Sequence, residues 1–176
     1  MPPPEVFETA RLILRRPRPE DAAAIFANYA QDAEVTRYLT WPPHTELAQT
    51  EKFVASCQET WEAGTAFGYV ITLRGQDEAV GMVGLHPHGH RVEMGWVLRR
   101  ALWGQGIMSE AVRPLVEWAL AQPEYFRIYA VCDVRNPGSA RVMEKAGMTY
   151  EGTLRRWLWR PGEDMPSDCL CYAVVK

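Results

Sequence analysis

The sequence predicts an α+β fold with one mixed, mostly antiparallel sheet flanked by helices, and two observations carry this prediction. Strand-like runs follow one another in the middle of the chain, and a strand-helix-strand-helix unit then leads to a closing pair of strand-like runs. The 176 residues contain no internal repeat and no Gly/Ser linker, and 47% of them are hydrophobic, enough for a sizeable core. We therefore expect residues 1–176 to form a single domain.

The first third of the chain predicts one strand and two helices. The branched run Arg11–Arg15 is typical of a strand, and two prolines end it. A helix should open at Glu20, because acidic residues suit the first turn of a helix. Apolar residues at helical spacing between Glu46 and Trp61 predict the second helix, which Gly64 should terminate.

The middle of the chain predicts an antiparallel meander. Its three strands are expected at Ala66–Leu73, Ala79–Leu85 and Arg91–Leu98. The turn-forming segments Arg74–Asp77 and Pro87–His90 separate them.

The last third predicts two helices, a strand between them and a hairpin. A long apolar stripe begins at Ser109, and Pro114 inside it should cost a hydrogen bond or kink the first turns. The remaining elements are a strand at Ile128–Cys132, a short helix at Ser139–Ala146 stopped by Gly147, and a hairpin of Met148–Trp159 with Asp168–Val175.

Composition and charge exclude several classes of protein. The formal net charge is -3 and 23% of residues are charged, which favours neither a nucleic-acid-binding nor a disordered acidic protein. The N-terminus lacks the pattern of a signal peptide, and no apolar stretch approaches membrane-spanning length. We expect a cytoplasmic protein with no membrane or nucleic-acid partner.

Neither the cysteines nor the histidines predict a metal site. The four cysteines, Cys57, Cys132, Cys169 and Cys171, lack zinc-ligand spacing and are expected to be reduced thiols. Histidines alternate in His86–His90, but a Pro/Gly turn between strands explains them, and no nearby carboxylate or thiolate completes a ligand set. We predict no metal.

The most informative stretch is Leu98–Ala111, where a strand runs into a glycine-bearing turn that opens a helix. The unbonded amides of a first helical turn, together with the helix dipole, favour an anion such as phosphate. Gly104 and Gly106 can take positive φ and let the backbone approach the phosphate oxygens. An ordinary strand-to-helix turn is the alternative. A dinucleotide-binding site is disfavoured because several strands precede this turn.

Three motifs in order resemble the GCN5-related N-acetyltransferase (GNAT) superfamily, in particular the RimJ/RimL-like branch that acetylates the N-termini of ribosomal proteins. They are the strand Val92–Leu98, the glycine turn that follows it, and the segment Asn136–Met148. The opening Thr9–Arg15 also fits, and the resemblance extends to about Tyr172. It implies a sheet splayed open between the strands at Val92–Leu98 and Ile128–Cys132, with acetyl-coenzyme A in the cleft.

The resemblance also implies which residues hold the cofactor. The pantetheine arm would bond along the first strand and to an asparagine, and the pyrophosphate would sit on the amides of the glycine turn. The residues so assigned are Met94, Trp96, Val97, Leu98, Arg99, Arg100, Gly104, Gln105, Gly106, Ile107, Met108, Ser109, Asn136 and Ser139. Trp103 and Met108 depart from the family pattern Q/R-x-x-G-x-G/A, but neither change removes an amide donor.

Acetyl transfer to an amine needs a base for the amine and a proton for the leaving thiolate. Glu93 is the candidate base, because strand alternation turns it toward one face of the sheet; a solvated surface charge is the alternative. Many family members carry a tyrosine as the acid where this chain has Met143. The ribosomal-protein branch can use a serine instead, so Ser139 is assigned to the sulfur, with a helix cap as the alternative.

The acceptor is expected to be an amine. The segment Tyr38–Pro43 resembles the variable loop that covers the acceptor, so Tyr38 and Trp41 are assigned to substrate binding. His86 is assigned with them, because its turn could lie at the mouth of the amine site. A protein N-terminus, a polyamine, an amino acid and an antibiotic all remain open, as do a non-catalytic coenzyme A sensor and a ligand-free interaction domain. The apolar hairpin Trp157–Val175 could pair with its equivalent in a homodimer.

Overall fold

A computed structural model describes residues 2–176, which contain one open eight-stranded sheet with helices on both faces. The strands are β1 Val6–Glu8, β2 Leu12–Arg15, β3 Phe67–Leu73, β4 Gly81–His88, β5 Arg91–Leu98, β6 Arg127–Asp133, β7 Thr149–Leu158 and β8 Ser167–Val175. The α-helices are α1 Asp21–Ile25, α2 Ala33–Thr36, α3 Leu47–Ala63, α4 Ile107–Ala121 and α5 Pro137–Lys145. A π-helical turn, Phe26–Ala30, continues α1. The predicted α+β class is confirmed.

The strands lie in the order β1-β2-β3-β4-β5-β6-β8-β7, and all neighbours are antiparallel except β5 and β6. That parallel pair is short. It joins Arg91 to Arg127 and ends where Glu93 faces Tyr129. Beyond this point the two strands have no mutual pairing, so the sheet is split at its centre between the second halves of β5 and β6.

Alternation along β5 divides its side chains between two cores. Val92, Met94 and Leu98 pack with α4 in the larger core. The alternate residues, among them Glu93 and Val97, point to the opposite face, where Val97 contacts the smaller core formed by α1, the π-helical turn and α3. The two faces of the split are therefore covered by different helices.

Most predicted elements are confirmed, and the first differences lie at strand ends. A short strand, β1, precedes the predicted first strand. Its three residues are too few to show an alternating pattern in the sequence, and they form a strand because they pair with β2. The segment Pro87–His90 is not a turn as a whole. Strand β4 continues through His88, which pairs with Arg91, and Gly89 with φ 62° leaves a two-residue turn.

The helices also differ in detail from the prediction. Helix α4 runs without interruption from Ile107 to Ala121 across Pro114, so the expected kink does not break it. Helix α5 begins at Pro137 rather than at Ser139, because Asn136 supplies the N-cap and proline suits the first helical position. The predicted end of α3 is confirmed, since Gly64 there has φ 68°.

The closing hairpin forms as predicted from β7 and β8, with register shifts in β7. Trp157 and Trp159 are 56% and 62% exposed, so both lie outside the core. The four cysteines of the described chain are free thiols, as expected. Within residues 2–176, no helix combines the length and the apolar character needed to cross a membrane.

Candidate active site

The split between β5 and β6 opens into a cleft of about 970 Å³. One wall is the unpaired half of β5 with the turn that follows it, and the other is the end of β6 with the start of α5. The segment after α2 and His86 of β4 line the cleft from the other face of the sheet. The cleft is therefore reached from both faces.

The turn between β5 and α4 presents backbone rather than side chains to the cleft. Gly104 and Gly106 have φ of 76° and 75°, and Gly106 is the N-cap of α4. A Cβ built on Gly104 would meet no atom within 4 Å, so the backbone there is open to a ligand. The amides of Ile107, Met108 and Ser109 are the first-turn donors that lack partners within the helix. The turn therefore has the backbone geometry that the predicted anion cradle requires.

Arg11, which directly precedes β2, contacts the glycine turn, and no pattern in the sequence indicated this role. Its Nη1 donates to the carbonyl of Gln105 at 3.1 Å, and its Nε donates to the Glu110 carboxylate at 2.6 Å. Burial acts to raise the pKa of Glu110, but bonds from Thr9 and Arg11 outweigh it and hold that pKa below its usual value. The arginine thus neutralises a carboxylate that would otherwise oppose an anion near the turn.

Trp103, which departs from the family pattern, has a structural partner. Its indole N–H donates to the carbonyl of Leu98 at 2.8 Å and so ties the turn to the end of β5. Within the described part of the chain, the cleft lining does not include Arg99, Arg100 or Gln105, which were predicted to contact the cofactor. Arg100 instead pairs with Asp32 at 3.3 Å, toward α2.

The opposite wall brings Asn136, Ser139 and Cys132 together. The Asn136 side chain caps α5 by accepting from the amide of Ser139 at 3.2 Å, so Ser139 itself is not the cap and its half-buried hydroxyl lines the cleft. Burial raises the pKa of the Cys132 thiol to about 12, partly opposed by a hydrogen bond with Ser139. Cys132 gave no signal in the sequence as a cleft residue.

Met143, at the position where many family members have tyrosine, is fully buried in the core. The side chain at this position therefore does not reach the cleft. On the same helix, α5, Ser139 is the hydroxyl-bearing residue that lines the cleft.

Glu93 lies on the other face of the sheet, where the pairing of β5 and β6 ends. Its carboxylate accepts a hydrogen bond from the Tyr129 hydroxyl at 2.9 Å. Burial, together with this bond to Glu93, raises the pKa of Tyr129 to about 12, so the phenol stays protonated at neutral pH. Glu93 is half-buried and lines the cleft rather than facing bulk solvent.

His86 stands opposite Glu93 in the neighbouring strand. The surrounding protein lowers its pKa by desolvation, and the Glu93 carboxylate opposes this only in part, so the imidazole is neutral at pH 7. Its ring lies over Gly84, where a Cβ would come within 2.9 Å of Nε2. His86, Glu93 and Tyr129 therefore form a row across β4, β5 and β6, and the first two of them line the cleft.

Of the residues assigned to the acceptor, Tyr38 and His86 line the cleft and Trp41 does not. Trp41 lies beside a separate apolar cavity of about 140 Å³, which Tyr29, His44 and Phe53 also line. The arrangement has a clear chemical consequence. A carboxylate lies at one face of the split and a hydroxyl at the other, so a group entering from one face can meet a ligand bound at the other.

Comparisons with known proteins agree with this geometry. A family model described as an acetyltransferase (GNAT) domain matches residues 11–149. The uncharacterized N-acetyltransferase YoaA of Bacillus subtilis is 30% identical, with 97% of each chain covered. The ribosomal-protein-serine acetyltransferase of Escherichia coli is 29% identical, with 67% of each chain covered. The crystal structure of a GNAT-family acetyltransferase from Bacillus anthracis is 26% identical and superposes with a TM-score of 0.84, covering 97% of this chain and 98% of that one.

Proposed function

Because this chain belongs to the GNAT family of N-acetyltransferases, we propose that it transfers an acetyl group from acetyl-coenzyme A to a primary amine, which attacks directly in a ternary complex. The single observation that carries this proposal is the split between β5 and β6. It places Glu93 and Ser139 at a common cleft although they lie on opposite faces of the sheet.

The residues of the cleft fit acetyl-coenzyme A. The open backbone at Gly104 and the first-turn amides of α4 suit a pyrophosphate. The unpaired edge of β5 offers backbone groups to an extended amide-bearing arm, and the Asn136 side chain lies on the facing wall. When bound, acetyl-coenzyme A supplies the acetyl group as an activated thioester.

Glu93 is proposed to accept the proton of the attacking amine, directly or through a water. An ammonium ion has no free lone pair, so a base at the site of attack is required. The carboxylate lines the cleft, and the Tyr129 hydroxyl holds it in place. His86 is neutral at pH 7 and faces the same space, so it adds no positive charge that would repel an approaching cation.

Ser139 is proposed to donate a hydrogen bond or a proton to the leaving sulfur. Its hydroxyl is not used as the helix cap and lines the cleft near the neutral thiol of Cys132. A thiolate leaves more readily when a proton donor is in reach.

A protein N-terminus is the acceptor that we propose. The resemblance to the ribosomal-protein branch supports this choice, and Tyr38 and His86 both line the cleft. Glu93 and Glu34 are the two carboxylates of the cleft lining. A polyamine, with several positive charges, would find few counter-charges there.

Two measurements test the proposal in order. Acetyl-coenzyme A should raise the midpoint of thermal unfolding by mass action, and NAD should not. Thiol release should then appear with peptides carrying free N-terminal serine or alanine, and not with the same peptides after N-terminal blocking. Absence of a thermal shift with acetyl-coenzyme A would refute the cofactor assignment. Turnover with spermidine or a free amino acid alone would refute the acceptor assignment.

A further inference from the structure

Arg160 is a buried cation in an otherwise exposed part of the molecule. It lies in the loop between β7 and β8, and its neighbours Trp159 and Pro161 are exposed, yet Arg160 is only 4% exposed. A buried arginine requires partners for its charge and its donors. Those partners show what the residue connects.

The guanidinium group of Arg160 contacts three parts of the chain. Within its own hairpin it bonds Glu163, and its Nη2 donates to Ser167 Oγ at 2.9 Å. The same Nη2 lies 2.9 Å from the carboxylate of Asp133, which is fully buried at the end of β6. Its Nη1 donates to the backbone carbonyl of Arg37 at 3.1 Å, more than a hundred residues away in sequence.

Tyr38 is held by the same group. The Arg160 guanidinium lies over the Tyr38 ring at 5.5 Å, and the Arg37 guanidinium lies near that ring at 5.3 Å. Such contacts orient an aromatic ring by cation–π attraction. Tyr38 lines the cleft, as Glu93 does.

These contacts join the two sides of the cleft. Asp133 directly follows Cys132, so it fixes the end of the strand that carries one wall. The segment from Arg37 to Thr40 lines the other side and continues from the short helix α2. The four-residue helix cannot hold this segment by itself, because so short a helix is marginal without tertiary contacts.

From this geometry we infer that Arg160 is a positioning residue for the acceptor: its ion pair with Asp133 and its hydrogen bond to the Arg37 carbonyl hold Tyr38 in place at the cleft. Asp133 anchors the guanidinium group by an ion pair. The Arg37 carbonyl accepts a hydrogen bond from it, and the Tyr38 ring packs against it. Arg160 contacts no reacting atom in this assignment. The acetyl donor is proposed to bind at the cradle, which Arg160 does not contact.

Limited trypsin digestion tests the contact without any acceptor. Trypsin cleaves after arginine, and Arg160 holds the carbonyl of the Arg37–Tyr38 bond. In R160Q we expect cleavage at this bond to become at least about tenfold faster, because local opening governs the proteolysis of folded proteins. Cleavage after Arg74, in the distant turn between β3 and β4, is the internal reference and should not change. R155Q, at an exposed arginine of the same hairpin, is the matched control.

An equal increase at both bonds would overturn the inference, because the variant would then be destabilised as a whole. No increase would also overturn it, because the Arg160 contact would then not hold the segment. R160K provides a second test if R160Q folds poorly. It keeps the charge beside Asp133 but cannot span Asp133 and the Arg37 carbonyl as a planar fork does. It should show the same selective cleavage in a smaller degree.

The kinetic test rests on the proposed function. With a seryl peptide as acceptor, R160K should raise the KM for the peptide about tenfold and leave the KM for acetyl-coenzyme A within about twofold. An equal change in both constants would overturn the positioning role. If the wild type acetylates no peptide, the proposed acceptor fails, whereas the digestion result still decides the inference about Arg160.

Discussion

Glu93 shows how position along a strand determines what a carboxylate can do. It is the last β5 residue paired with β6, so it stands where the sheet divides, and the Tyr129 hydroxyl holds one of its oxygens. One residue earlier, the side chain would point into the α4 core, as Val92 does. Alternation and the end of pairing together place this acid at the cleft.

Replacing Glu93 by glutamine should lower kcat by a factor of about 100 or more, because removal of a general base typically costs that much. The Kd for acetyl-coenzyme A should stay within about twofold, since the cradle lies beyond the far end of β5 from Glu93. Steady-state kinetics and calorimetric titration measure the two constants.

Y129F is the matched control for Glu93. It keeps the carboxylate and the ring and removes only the hydroxyl that donates to Glu93. Its kcat should fall by less than about fivefold. A Glu93→Gln variant that retains the wild-type rate would show that another group accepts the proton.

Ser139 and Asn136 should separate catalysis from helix capping. S139A should lower kcat about tenfold and change the free energy of unfolding by less than about 0.5 kcal/mol, because its side chain is not the cap. N136A should destabilise the protein by about 1 kcal/mol, because it removes the N-cap of α5. Urea unfolding with steady-state kinetics checks both, and a large stability loss in S139A would contradict this division of roles.

At the scale of elements, the turn between β5 and α4 depends on two glycines in the left-handed region. G106A should weaken binding of acetyl-coenzyme A at least about tenfold, since an alanine at φ 75° costs about 1 kcal/mol and shifts the first-turn amides. The Kd from calorimetric titration measures the effect.

The matched control for this turn is G89A. Gly89 has a similar φ of 62°, but it lies in the β4–β5 hairpin turn, outside the lining of the cleft. This variant should lose comparable stability and bind the cofactor normally. Equal weakening of binding in both variants would mean that backbone strain alone, and not the cradle, explains the loss.

At the scale of the whole molecule, buried ion pairs join segments that lie far apart in sequence. Asp133 is fully buried between Arg160 and Arg135. Burial alone would raise its pKa, but bonds from Arg135 and the charge of Arg160 hold the pKa of Asp133 below its usual value. A carboxylate with a lowered pKa contributes stability that is complete above its unfolded value, near 3.8, and is lost as the pH falls through its folded value.

We therefore expect D133N to be destabilised by about 3 kcal/mol between about pH 5 and 8, because it leaves a buried arginine short of counter-charge. The difference from the wild type should shrink below about pH 4, where Asp133 of the unfolded wild-type chain becomes protonated before Asp133 of the folded protein does. Urea-unfolding curves from pH 3 to 8 measure this, and a difference that is constant down to pH 3 would contradict it.

The local features of the chain were predictable because local rules determine them. The branched run at β2, the glycine that ends α3 and the glycine turn before α4 were each identified from neighbours in sequence. The prediction was wrong where tertiary pairing decides. Strand β1 exists only through β2, and Pro87 lies inside a strand because β4 and β5 pair as far as His88 and Arg91.

The sequence by itself determined most of the order of elements, the glycine turn before α4 and the family, because these depend on residue type and spacing along the chain. Only the tertiary structure decided that Met143 is a core residue, that Cys132 and Ser139 share one wall, and that Arg11 and Arg160 brace the cleft. The physical reason is that such contacts join residues up to 123 positions apart. Their partners are chosen by the packing of the sheet and helices, and no spacing along the chain encodes them.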